Sequence, residues 1–344
     1  MDGELFAVEL LVAAFAGGAF GAAIGALPSF VFTGVLVIVG ETLRILRTAL
    51  SPDASVPQVT DLIAFGVVFG PHVSFAGGAA AAAYAARKGY LDTDSIYHPA
   101  KTITVGLGAR VDVLIVGGLF GVLGHLLLVG FVVAAAPWDP VAMGVVVSAF
   151  LHRLVFGYDL IGDIRSTGLL NMSPIERAAR TEDGRLVVEP WLTYMYRWDG
   201  VAVLGLLVGI LGGYLAYITA SPFLAFGISA ASLGFLVAGV DGIPVTHHMT
   251  LPASTAVLAF AGLSMGNLSP DAIASAVPLW HALVVGGIFG LVGALAGEWS
   301  QRMFYAHADT HLDPPAAGIA ISTLLIALLA MLGIFETAVW IPHP

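Results

Sequence analysis

The sequence predicts an all-α, polytopic membrane protein of about ten transmembrane helices, arranged as two repeats of five with broken helices. Three observations predict it. Hydrophobic residues fill 58% of the 344 positions and charged residues only 10%, against about 25% charged in a typical soluble domain; the mean hydropathy is +0.93. Apolar runs near the roughly 20 residues needed to cross a bilayer core recur along the chain. Stretches of the first half return in the same order in the second. A soluble fold must cover its surface with polar groups, and this composition does not supply them.

The spans follow in order. The first is expected from about residue 5 to 27, broken by Pro28, and the second from about 29 to 46. After the polar loop "SPDASVPQVTD" comes "LIAFGVVFGPHVSFAGGAAAAAYAARKG". Gly70-Pro71 interrupts it, because proline lacks a backbone donor and disfavours helix in the residue before it. A short segment up to Gly70 and a span from about His72 to Ala86 are expected. The fourth span runs from about 111 to 135 and the fifth from about 140 to 156. The second half repeats the scheme at about 200–220, 222–239, 249–265, 277–299 and 314–335. The chain thus divides into a first repeat, 1–157, a polar connecting segment, 158–198, placed on the cytoplasmic side, and a second repeat, 199–344. The connecting segment is too short to bury a catalytic core. Its "SPIERAARTEDGRLVVEPW" fits a short amphipathic helix and a turn at Asp183-Gly184.

The repeat is read from four matches. "GGAFGAAIGALPSFVFTGVLVIVG" faces "GGYLAYITASPFLAFGISAASLG", pairing Gly18, Pro28 and Gly40 with Gly212, Pro222 and Gly234. "PHVSFAGG" faces "THHMTLPA"; "VLIVGGLFGVLG" faces "ALVVGGIFGLVG"; "DPVAMGVVVS" faces "DPPAAGIAIS". Five spans per repeat makes the halves inverted, and four plus a re-entrant hairpin makes them parallel. Arginine and lysine favour the cytoplasmic side, yet the five-span scheme leaves only Arg44 and Arg47 outside and the four-span scheme only Arg302. The third span favours five plus five, since its second copy fits one crossing. The 42 glycines predict close helix packing, within one chain or in a homo-oligomer.

Several function classes drop out. With no cysteine, disulfides, thiolate nucleophiles and Cys-ligated zinc are excluded. No basic cluster invites nucleic acid. No HExxH, GxSxG or P-loop occurs. The N-terminus is acidic, unlike the positive start of a signal peptide.

Polar residues in apolar surroundings mark candidate sites, because ionisable groups in a bilayer core face protein or water. His72 and Ser74 follow one helix break; His247, His248 and Thr250 precede "LPAS" at the matching place. Helix starts of this kind expose free N–H groups, so these five residues are the candidate solute path, for an anion or a polar neutral molecule. The plainer alternative makes them caps and interfacial histidines. Glu41, Asp112 and His281 are candidates for proton or ion coupling, since histidine titrates near neutral pH; Asp112 and His281 equally mark helix entrances. His307, Asp309 and His311 alternate in a way that suits a divalent metal, and equally a solvated loop. His125 and His152 suit packing or haem ligation.

The leading expectation is a channel or secondary transporter for a small solute in the plasma membrane, with no cofactor required. A histidine-ligated haem or metal redox protein and a non-transporting membrane scaffold are the alternatives.

Overall fold

A computed structural model describes residues 7–50, 57–91 and 96–344. The acidic residues Asp2, Glu4 and Asp53 and the start of the first expected span lie outside the described residues. Ten helices of fourteen residues or more carry the fold: α1 Val8–Ile24, α2 Ala26–Leu50, α3 Ser74–Arg87, α4 Val111–Val133, α5 Pro140–Phe156, α6 Trp198–Thr219, α7 Leu224–Val237, α8 His247–Phe260, α9 Leu279–Phe304 and α10 Pro314–Met331. Among the described residues there is no β-strand beyond the single antiparallel bridge Arg180–Leu186. Five helices, α2, α4, α6, α9 and α10, are long and apolar enough to cross a membrane; α1, α5 and α7 are apolar but shorter.

The helix ends follow local chemistry. Pro28 does not break the chain as the sequence suggests. It sits in the first turn of α2, where a missing N–H is harmless. The break falls instead on Gly25, whose φ of 99° only glycine adopts freely. α5 and α10 start alike: Asp139 accepts from the Val141 and Ala142 amides and Asp313 from the Ala316 amide, with proline following each, which are strong N-cap signals. Gly157 closes α5 in the left-handed conformation. The segment before α3 is a five-residue π-turn, Thr60–Ala64, and then turns up to Gly70. α3, α7 and α8 have 14 residues each. At 1.5 Å per residue each is about 21 Å long, short of the ~30 Å hydrocarbon core.

Helix pairing is orderly. α1 packs on α3 and α4, α3 on α4 and α5, and α4 on α5. α6 packs on α8 and α9, α8 on α9 and α10, and α9 on α10. The two groups meet through α2 with α7 and α5 with α10. Glycine makes the closest approaches possible. A Cβ on Gly18 would stand 2.2 Å from the Gly117 carbonyl oxygen, and one on Gly209 2.3 Å from that of Gly286. Backbones at that distance leave no room for a side chain, and dispersion between them replaces the hydrophobic drive that lipid does not provide. The glycine ribs of α4 and α9 are therefore used inside the chain.

The connecting segment has less helix than expected, one turn at Ser173–Glu176. The expected turn is present: Gly184 has φ of 84° and the Thr181 amide donates to the Arg185 carbonyl at 2.8 Å. Its last part returns across the bundle. The amides of Leu186, Glu189 and Trp191 donate to Ile96 O, Ala306 O and Gln301 Oε1.

Candidate functional site

The largest core cluster lies where α2, α3 and α5 face α7, α8 and α10. Within it is a cavity of about 40 Å³, room for only a few heavy atoms. Phe30, Phe65, Phe75, Phe226 and Trp191 supply its aromatic wall. Its ionisable side chains are Asp139, His247 and Asp313. Phe30 ties the rings together: its centroid is 4.8 Å from His247, 5.9 Å from Phe226 and 6.0 Å from Phe75. A smaller chamber of about 30 Å³ lies alongside, lined by His248, Glu298 and Gln301, and Trp191 borders both.

Two helix N-caps thus look into one space. Asp139 Oδ1 accepts from the Val141 amide at 2.8 Å and the Ala142 amide at 3.1 Å, and the Asp139 amide donates to Thr323 Oγ1 of α10 at 2.9 Å. Asp313 accepts from the Ala316 amide at 2.8 Å, and its other oxygen lies 3.3 Å from His311 Nε2. His311 is packed against Phe75, Trp191 and Tyr305.

The structure separates the sequence candidates. Of the five path residues, only His247 lines the central cavity. It is buried, and its Nδ1 has no hydrogen-bond partner. His248 faces the neighbouring chamber. Thr250 Oγ1 turns back to Ser229 and to the His247 carbonyl. His72 is buried against the glycines of α4 and α5, and Ser74 bonds the Phe69 carbonyl. Their neighbours Pro71 and Phe75 reach the cavity instead.

The coupling candidates lie apart. Glu41 is buried and accepts from Thr60 Oγ1 at 2.9 Å, Ser221 Oγ at 2.5 Å and Arg44 Nε at 3.0 Å, which locks α2 to the α6–α7 break. Asp112 is partly exposed beside Arg110 at 3.8 Å and Tyr84 at 3.3 Å. His281 lies between Trp280 and Phe260 and shares none of these neighbours.

The metal candidates diverge. Asp309 pairs with Arg185 at 2.9 Å and Arg165 at 3.6 Å, and His311 with Asp313; His307 offers its carbonyl to Arg165. Among the described residues no three His, Cys, Asp or Glu side chains gather as a metal set. His152 Nε2 lies 2.9 Å from Thr310 Oγ1, and its neighbour Arg153 binds the carbonyls of Leu160, Phe304 and Thr310.

Sequence reasoning missed a second polar feature. Lys101 and Glu189 form a fully buried ion pair at 2.8 Å. Arg185 joins Glu189 at 2.8 Å, and Lys101 lies over the Tyr305 ring at 4.4 Å. Burial pushes the Lys101 ammonium down to about 8, although Glu189 opposes the shift. Burial alone raises the Glu189 carboxyl, but Lys101 and Arg185 outweigh it and hold it below its ordinary value. The network pins residues 185–189, two positions before Trp191, against the α9–α10 loop.

Capped helix starts, interrupted helices and a cavity between two groups of helices define the class: an apolar helical bundle with an internal cavity. The chain belongs to a family of unknown function (DUF7973), whose model matches residues 1–344. No curated protein and no solved structure matches the chain.

Proposed function

We propose that this protein is a channel or secondary transporter for a small solute, integral to the plasma membrane, with its path through the cavity between α2–α3–α5 and α7–α8–α10. The observation that carries the reading is the cavity itself. It lies at the junction of the two helix groups, its walls come from both, and three ionisable side chains line it. Solute sites of transporters sit at such junctions, formed by interrupted helices. The two carboxylates weigh against an anion and leave a neutral or cationic solute. Trp191, whose amide donates to Gln301, lines the cavity from the connecting segment.

The same reading takes the chain as ten crossings in two inverted repeats of five. Helix pairing supports the repeat within it: α1–α5 and α6–α10 make the same internal pairs, and the groups meet through corresponding helices, α2 with α7 and α5 with α10. Close contacts support it residue by residue. A Cβ on Gly124 would stand 1.6 Å from the His72 carbonyl oxygen, and one on Gly293 2.0 Å from that of His248. In α1 and α6 the contacts equate Gly18 with Gly209, one helical turn from the Gly212 chosen by sequence. Both registers place glycine on glycine, so composition alone does not discriminate.

The test is flux. Liposomes containing the purified chain are exposed to small neutral, cationic and anionic solutes. At least one neutral or cationic solute is expected to cross faster than in protein-free liposomes, and Ala142→Phe, which fills the cavity, to slow it. A panel in which nothing crosses above the protein-free rate rejects the proposal and favours the scaffold alternative. The haem and metal alternative draws no support from the divergent histidines.

A further inference from the structure

The two carboxylates of the cavity are not equally neutralised. Asp313 has His311 beside it. Asp139 is 5% exposed, and among the described residues no Lys, Arg or His forms an ion pair with it. One oxygen serves as the α5 cap, and two neutral amides do not supply a counter-charge. A buried carboxylate without a cation is unfavourable by several kcal/mol. It therefore marks a place where a positive charge is welcome.

The surroundings say which cation. Alkali and alkaline-earth ions exchange their water for a shell of about six oxygens; here the lining is mostly aromatic and aliphatic, and its carboxylate oxygens are partly committed to caps. Aromatic rings instead favour an organic ammonium ion, drawn to their faces. Such a cation also carries N–H donors for a charge-assisted bond to a carboxylate. His247, with its Nδ1 buried and unpartnered, offers one further polar contact. The cavity volume of about 40 Å³ restricts the ligand to a few heavy atoms.

We propose that the central cavity binds a small organic ammonium ion, with Asp139 as its counter-charge and the Phe30, Phe65, Phe75, Phe226 and Trp191 rings as its walls. The proposal rests on the cavity being the solute site of the transport reading, and it names the substrate class. It also distinguishes the two caps: Asp139 is the binding group, and Asp313 is held by its own histidine.

Methylammonium is the probe, with formamide as a neutral solute of similar size. Radiolabelled uptake into liposomes containing the full chain is compared with protein-free liposomes at pH 6, where methylammonium is protonated. Saturable methylammonium uptake is expected. Asp139→Asn, which keeps the cap, lowers it at least tenfold, and Asp139→Glu restores part of it. Titration calorimetry of the wild-type chain with methylammonium chloride gives one site per chain, a readout that requires no variant to fold. Unchanged uptake in Asp139→Asn, or no binding heat, overturns the proposal. Uptake of formamide without methylammonium overturns the cation assignment and leaves the transport path standing. Uptake of neither overturns both.

Discussion

α4 and α9 carry nearly the same glycine rib and use it in the same way; α5 and α10 begin with the same Asp-Pro cap and do not. In the first pair, Gly124 lies against the backbone of His72 and Gly293 against that of His248, so each rib admits the backbone near a helix start. In the second pair, Asp313 has an imidazole neighbour and Asp139 has none. The difference teaches that close backbone contacts hold the frame in one arrangement, while the side chains at the helix starts are free to diverge. Chemistry is then found where two similar places differ.

The largest effect expected from breaking the comparison is on the glycines. Gly124→Val and Gly293→Val each put a side chain into a carbonyl that the helix break holds fixed. Both are expected to abolish monodisperse protein on size-exclusion chromatography in detergent. If one variant folds normally, the two breaks are not equivalent.

Next comes the ion network, which joins Lys101, the connecting segment and Asp309. Glu189→Gln leaves Lys101 and Arg185 without their shared carboxylate and is expected to cost about 3–5 kcal/mol, as for other buried pairs that lose one partner; a melt in detergent measures it. The pH dependence has a definite sign. Because Glu189 is held below its ordinary value, its contribution is complete above the normal carboxylate range and is lost as pH falls through its folded-state value. The wild-type melting temperature therefore drops more steeply than that of Glu189→Gln as pH falls through and below the normal carboxylate range. Parallel curves would remove Glu189 from the account.

The smallest effect sharpens the contrast of the two caps. Asparagine caps helices about as well as aspartate, so neither Asp139→Asn nor Asp313→Asn loses its cap. Asp139→Asn removes an unpaired buried charge and is expected to hold or raise the melting temperature. Asp313→Asn removes the carboxylate beside His311 and is expected to lower stability by about 1 kcal/mol. Equal shifts would mean that the two carboxylates have equivalent surroundings.

Much of the fold was legible because membrane helices announce themselves by apolar length and breaks by glycine and proline. The Gly70-Pro71 break could be read directly, and the Asp139-Pro140 and Asp313-Pro314 pairs stood out as matched stretches. Pro28 misled because proline is a breaker in mid-helix and a good residue in a first turn, and only the Gly25 conformation tells which applies. The site was less legible. His247 was found at a helix start, yet its equally polar neighbour His248 turns to another chamber, a matter of helix rotation that one residue of spacing decides. Asp139 and Asp313 were visible as a repeated Asp-Pro pair, but nothing in that pair says that the two share a cavity. The Lys101–Glu189 pair joins residues 88 positions apart in chain segments with no periodicity, so it left no sequence signal.

The central claim is that a solute path runs through the cavity between the two helix groups. The chain has no cysteine, so a single cysteine at Ala142 or Ala316, both lining the cavity, reports access without background. In liposomes, a small membrane-impermeant thiol reagent is expected to modify both positions and to stop solute flux, while a cysteine at Ala327, buried and lining neither chamber, stays unmodified. Flux that continues with Ala142→Cys and Ala316→Cys unlabelled would contradict the account.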